Sequence, residues 1–171
     1  MRKILTALFF VMICSIGASA QKFAFVDMEY ILSNVPAYEM ANEQLNQISQ
    51  RWQREVETKM REAETLYNNY QADMVFLTDD QKQRREDEIV RKRQEVADLK
   101  YKYFGPEGEL YQKRQTLMKP IQDDVYNAIK KVAEERGYQA IFDRASSANV
   151  IYASPRIDVS NEVLSKLGYS K

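Results

Sequence analysis

The sequence predicts an α+β chain, mostly helical, in which a small β-sheet body built from both chain ends carries a long antiparallel helical hairpin, the whole assembling as an oligomer. Three observations predict it. Apolar residues recur at steps of three or four from about Ala37 to Leu77, with no Gly or Pro among them. Beyond a turn, Ile89, Val96, Tyr103, Leu110 and Leu117 follow one another seven apart. Short runs rich in aromatic and branched residues lie near both ends, as strands do.

The first twenty residues stand apart from this pattern. Met1-Arg2-Lys3 is followed by an apolar stretch from Ile4 to about Ile16 and then by Ala18-Ser19-Ala20, the layout of a secretory signal cleaved after about Ala20. A retained anchor is the alternative, but the run is shorter than the roughly 20 residues a bilayer span needs. A lipoprotein signal at Cys14 is the other, and it lacks the small residue before the cysteine, since Ile13 stands there. Cys14 is the only cysteine, so a mature chain starting at Gln21 forms no internal disulfide. The whole chain carries 25 basic and 25 acidic residues; without Arg2 and Lys3 the mature form has 23 against 25. That balance argues against a nucleic-acid partner.

Phe23-Ala24-Phe25-Val26 reads as a strand buried on both faces. Asp27 caps a short helix from Met28 to about Ser33, which stops before Pro36. The long stripe follows: Leu45, Ile48, Trp52, Val56, Met60, Ala63, Tyr67, Tyr70, Met74 and Leu77. A helix of ~40 residues is ~60 Å long, beyond the diameter of a small domain. Thr78-Asp79-Asp80-Gln81 then reads as a capping box opening a second helix, with the two acids suited to the positive end of its dipole. So short a turn makes the two helices antiparallel neighbours. Charge agrees: acids exceed bases by three from Tyr38 to Val75, and bases exceed acids by three from Lys82 to Lys102.

Gly105-Pro106-Glu107-Gly108 breaks the return helix, and Gly105, Pro106 and Gly108 are read as a hinge. Pro120 is a second candidate bend. The apolar set then widens through Ile121, Val125, Ala128, Ile129 and Val132, as in a helix entering a compact body, and Gly137 ends that helix. Ala140–Asp143 reads as a strand, Ser146–Asn149 as a turn, and Val150-Ile151-Tyr152-Ala153 as the partner strand. A last helix runs from Asn161 to Leu167, capped by Ser160 and ended by Gly168.

The expected organisation is a signal peptide (1–20), an oligomerisation body (21–36 and 121–171) and a hairpin arm (37–120) with its tip near 76–82. A body of about 65 residues is small for a self-sufficient core, and its apolar strands have few elements to cover them. Phe23, Phe25, Val26, Ile141, Phe142, Val150, Ile151 and Tyr152 are therefore the expected oligomer contacts.

Phe25-Val26-Asp27, Gly137-Tyr138, Ile141-Phe142-Asp143, Tyr152-Ala153, Ile157-Asp158-Val159-Ser160 and Val163-Leu164, in this order around a long hairpin, resemble the OmpH/Skp family of periplasmic chaperones. Phe104-Gly105-Pro106-Glu107-Gly108-Glu109-Leu110 and Leu117-Met118-Lys119-Pro120-Ile121-Gln122 look like the variant of the Bacteroidetes branch. The resemblance implies a periplasmic homotrimer whose helical tentacles surround a cavity. In that cavity, unfolded outer-membrane β-barrel proteins are held without ATP. The well-known members are strongly basic, so the near-neutral charge here weakens any attraction to anionic lipid and leaves weak membrane-surface contact as the most to expect.

An enzyme is the competing class. The mature chain has no His and no Cys, which removes the commonest general base, the thiolate nucleophile and most transition-metal sites. Asp27, Asp143 and Asp158 sit at strand ends or helix starts, where an acid has a capping role. With no Gly-rich phosphate loop, no catalytic residue, cofactor or metal is expected. On the arms, Trp52, Tyr70 and Tyr103 are read as seam, while Phe76, Tyr101, Phe104, Tyr67 and Met74 are the candidates for holding a client. The mixed-sign run from Lys82 to Arg93 reads as a solvated face, with lipid or client contact as its alternative. A structural or adaptor coiled coil binding one folded partner is the second functional reading.

Overall fold

The computed structural model of the protein describes residues 22–146 and 150–169. In order these form β1 (Phe23–Val26), α1 (Met28–Ser33), α2 (Pro36–Asp73), a 3-10 turn (Met74–Phe76), α3 (Asp79–Phe104), α4 (Glu109–Arg136), β2 (Ala140–Asp143), a second 3-10 turn (Pro155–Ile157) and α5 (Ser160–Lys166). The chain is mostly helical with a small two-stranded sheet. It divides into two compact units, residues 35–125 and the two flanking stretches together. The expected signal peptide with its cleavage site, and Ser147 to Asn149 of the expected turn, lie outside the described residues.

In the flanking unit, β1 and β2 pair in parallel, Phe23 opposite Ala140 and Val26 opposite Asp143. This joins the two ends of the chain. The other edge of β1 meets the C-terminal segment, where Val159 N donates to Phe25 O at 2.9 Å. Ala24 and Val26 are buried while Phe23 is 44% exposed, so β1 is covered on one face and not on both. A parallel pair is apolar on both faces because it needs cover on both, and the described residues of this unit supply elements for only one.

The strand expected at Val150–Ala153 is not formed. These residues have no regular structure, and Ile151 is fully exposed. A branched, aromatic run becomes a strand only where another backbone edge takes its N–H and C=O groups, and β2 finds that edge in β1 instead. Ser160 also differs from expectation. It is the first residue of α5, and its Oγ accepts from Asp27 N at 2.8 Å instead of capping the helix. Asp27 does cap α1, its Oδ1 accepting from Tyr30 N at 2.9 Å. Gly137 and Gly168 take the positive φ values (70° and 86°) that follow α4 and α5.

In the long-helix unit, Pro36 occupies the first turn of α2, where its missing N–H costs nothing. α2 ends at Asp73, and a 3-10 turn replaces the last helical residues expected before Leu77. Thr78 and Gln81 form the capping box of α3, Gln81 N donating to Thr78 Oγ1 at 3.4 Å and Thr78 N to Gln81 Oε1 at 3.0 Å. Leu45, Trp52, Ala63 and Tyr70 of α2 are buried, as are Ile89 and Tyr103 of α3. Met60 and Tyr67 stand at the rim of this stripe instead of within it. A straight helix drifts by about 20° per heptad against a 3.5-residue repeat, which carries edge positions outward. Ala41 and Leu45 form a core with Met118 of α4, flanked by Tyr38, Leu110, Leu117 and Ile121. α4 continues as one helix through Pro120.

Gly105 to Gly108 separate α3 from α4 by a single turn, with Gly105 N donating to Tyr101 O at 2.8 Å and Gly108 N to Gly105 O at 2.9 Å. Neither glycine has positive φ. A Cβ on Gly105 would collide with Tyr101 O, and one on Gly108 would stand 2.9 Å from Lys102 O and Tyr103 O. Close backbone approach requires glycine at both positions.

Candidate functional site

The surface of the paired helices α2 and α3 begins with what holds them together. Trp52 stacks on Tyr103 with ring centroids 4.6 Å apart. Tyr103 OH donates to Glu55 Oε2 at 3.0 Å, and Tyr70 OH donates to Glu86. Both phenols lie above the ordinary tyrosine range. For Tyr70 the bond to Glu86 is the main cause, ahead of burial; for Tyr103 burial leads and the bond to Glu55 adds to it. The carboxylate neighbours disfavour a second negative charge at either oxygen.

Charged side chains line the flanks. Lys59 pairs with Glu62 at 2.9 Å, and that bond holds its ammonium above the usual lysine value. Lys92 pairs with Glu95 at 2.8 Å, and the same kind of bond holds Glu95 below the carboxylate range. These are exposed pairs, each of small weight.

Against this background the apolar candidates fall in three places. Met74 and Phe76 share the 3-10 turn between α2 and α3, where Phe76 is 85% exposed. Tyr101 and Phe104 lie on the last turn of α3. Tyr101 is 73% exposed, whereas Phe104 is half-buried, edge-on to Tyr103 at 6.3 Å. Tyr67 lies apart from both, with the Arg93 guanidinium 4.8 Å from its ring centroid. Sequence reasoning missed Val75, which is 77% exposed beside Phe76, together with the exposed Met40 and Val90. The punctuation at Thr78 was the available signal for Val75, since a residue in a tight turn between two helices has no seam to enter.

In the flanking unit Phe142 meets Phe25 at 5.7 Å and Phe23 at 6.2 Å between centroids, and remains half exposed. Val26 is buried; Ile141 and Val150 are partly buried; Ile151 and Tyr152 are open to solvent. The three aspartates singled out in the sequence have structural partners. Arg144 bridges Asp27 at 3.0 Å and Asp158 at 3.6 Å. Asp143 accepts from Met28 N at 3.1 Å, Ala145 N at 3.0 Å and Ser146 N at 3.2 Å. Burial alone would raise the Asp143 pKa. The bonds from the Ser146 side chain and from these three amides outweigh it and hold the carboxyl below its ordinary value. Asp158 accepts from Ser160 N at 2.9 Å. Among the described residues no group of three or more acidic or sulfur ligands converges as a metal site would need.

Comparison with known proteins adds the wider frame. The family described as Outer membrane protein (OmpH-like) matches residues 22–167. The chaperone protein Skp of Vibrio cholerae serotype O1 is 26% identical over 161 residues, covering 90% of this chain and 87% of the relative. The crystal structure of an OmpH-like protein from Caulobacter crescentus CB15 superposes with a TM-score of 0.69 at 13% identity, over 88% of this chain and 86% of that one. That last likeness is one of fold. With a family match running from β1 through α5, the chain belongs to the OmpH-like outer membrane protein family.

Proposed function

We propose that this protein is a periplasmic holdase chaperone. It binds unfolded outer-membrane β-barrel proteins in a cavity between helical arms, and it prevents their aggregation without ATP. The observation that carries this reading is the contrast on the paired helices: a seam closed by Trp52, Tyr70 and Tyr103, and large apolar side chains (Val75, Phe76 and Tyr101) left in solvent. Large apolar residues left this exposed suit dispersed, weak contacts with clients of differing sequence. The V. cholerae relative, a chaperone by its description, supports the same reading.

In this proposal residues 37–120 are an antiparallel hairpin arm, and 21–36 with 121–171 form the oligomerisation body of a homotrimer. The uncovered faces of Phe23 and Phe142, together with Ile151 and Tyr152, are what further copies would cover. Export with cleavage after about Ala20 places the mature chain in the periplasm. Membrane-surface contact is weak, and no cofactor or nucleic acid takes part. Gly105, Pro106 and Gly108 mark where the arm flexes.

The test uses residues 21–171. A urea-unfolded outer-membrane β-barrel protein is diluted into buffer with and without the chaperone, in the absence of nucleotide. Light scattering is followed against an inert protein. Suppression saturating near one oligomer per client is the expected result. Unchanged aggregation with several barrels would transfer the reading to an adaptor coiled coil with one folded partner.

A further inference from the structure

Midway along the paired helices is a shallow slot with a volume of about 520 Å³. Ala63 is its buried floor, and Met60, Tyr67 and Val96 supply apolar walls that are partly open to solvent. Glu64, Asn68 and Arg93 form its polar rim. Arg93 stands over the Tyr67 ring at 4.8 Å and, among the described residues, pairs with no carboxylate.

We infer that this slot, through Met60, Tyr67 and Arg93, selects aromatic side chains of an extended, unfolded polypeptide. The inference rests on the holdase reading and names which part of a client one place on the arm prefers. Thioether and tyrosine walls favour a ring over a branched aliphatic side chain, because sulfur and π faces both gain from aromatic contact. The guanidinium already lies against one ring, and its planar, weakly hydrated form can take a second. The rim matches what an extended chain brings with it. Glu64 accepts from a backbone N–H, Arg93 donates to a C=O, and Asn68 does either. One cation and one anion on the rim leave no net charge to demand, which accords with clients of either sign. A second copy of this chain would have to satisfy the same rim with ordered helices, whose backbone groups are already bonded internally.

The experiment uses the full mature chain and two disordered peptides matched in length, charge and mean hydropathy, one carrying Tyr and Phe, the other Leu and Val. Affinities are measured by anisotropy for wild type, Arg93→Gln and Arg93→Lys, with helix content checked by circular dichroism and assembly by sedimentation. Wild type should bind the aromatic peptide roughly five- to tenfold more tightly. Arg93→Gln should erase that preference by weakening the aromatic peptide several-fold more than the aliphatic one. Arg93→Lys should restore it only in part. Equal binding of both peptides by wild type would overturn the slot assignment and leave the holdase reading standing. A preference that survives Arg93→Gln, or a change of oligomeric state in that variant, would also overturn it. Loss of all peptide binding together with failure to suppress aggregation in wild type would remove both readings.

Discussion

Trp52 of α2 and Tyr103 of α3 lie face to face, their ring planes within 4° of parallel, and Tyr103 extends from the stack to donate to Glu55. The pair does two kinds of work at one level of the seam: each ring removes a large area from water, and the phenol satisfies its polar end on the opposite helix. Trp52 is also the only tryptophan, so its emission reports the pairing of α2 with α3 directly. Replacing Tyr103 with Ala should cost about 3–5 kcal/mol, the range for truncating a buried aromatic residue. Tyr103→Phe, which keeps the stack and loses the bond, should cost about 0.5–1.5 kcal/mol. Urea titration followed by Trp52 emission separates the two. Equal midpoints for the two variants would mean that the ring contact holds nothing.

Tyr70 and Glu86 make the corresponding link nearer the turn. The bond raises the phenol pKa above the unfolded value of about 10. The stabilisation is therefore complete below that value and disappears as pH rises through the folded one. Thermal stability should fall on going from about pH 8 to beyond pH 10 in wild type, and the fall should be smaller in Tyr70→Phe. The same alkaline loss in both would assign it to other groups, with Tyr103 the first to examine.

Asp143 governs the opposite end of the pH scale in the flanking unit. Its carboxylate ties the end of β2 to the start of α1 through Met28 N and closes the following turn through Ala145 N and Ser146 N. Because its folded pKa is lowered, the stability it gives is present above the ordinary carboxylate value of about 3.9 and is lost as pH falls through the folded value. Asp143→Ala should cost about 1–3 kcal/mol at neutral pH, since it leaves amides without their charged acceptor. The difference from wild type should shrink in acid. A constant difference from neutral pH down to about 3 would show that the ionised form is not what matters.

Much of this fold was legible because its signals are local. The seam spacing from Leu45 to Tyr70 and the pairing of Thr78 with Gln81 each follow from residues within a turn or a heptad of one another. The parallel pairing of β1 with β2 was not legible. Phe23–Val26 and Ala140–Asp143 look the same as runs whether they pair with each other or with Val150–Ala153. Nor does a sequence show that Tyr70 will find Glu86, or that Arg144 will bridge Asp27 and Asp158, since such polar partners depend on which faces meet. The glycines at 105 and 108 were noticed in the sequence as a hinge, and the structure adds a steric demand that the sequence does not show. Flexibility is the usual inference from Gly beside Pro, while the carbonyls that exclude a Cβ there come from α3 itself.

The turn between α2 and α3 gives the sharpest separation of function from stability. Val75 and Phe76 are both largely exposed, and the backbone of the turn is closed by Leu77 N donating to Met74 O at 3.5 Å, independently of either side chain. Exposed positions of this kind usually alter stability by no more than about 0.5 kcal/mol. Val75→Ser with Phe76→Ser should therefore leave the urea midpoint and helix content where they are. The same pair should lower the capacity to keep an unfolded β-barrel protein soluble, so that more chaperone is needed for half-suppression of scattering. The exposed Met40 of α2 and Val90 of α3, on the same unit but away from the turn, are the matched control: Met40→Ser with Val90→Ser removes comparable apolar surface elsewhere. A loss of capacity in the turn variant and not in the control locates client contact at the turn. Equal losses in both would mean that exposed apolar area anywhere on these helices serves, and that the turn has no special part in holding a client.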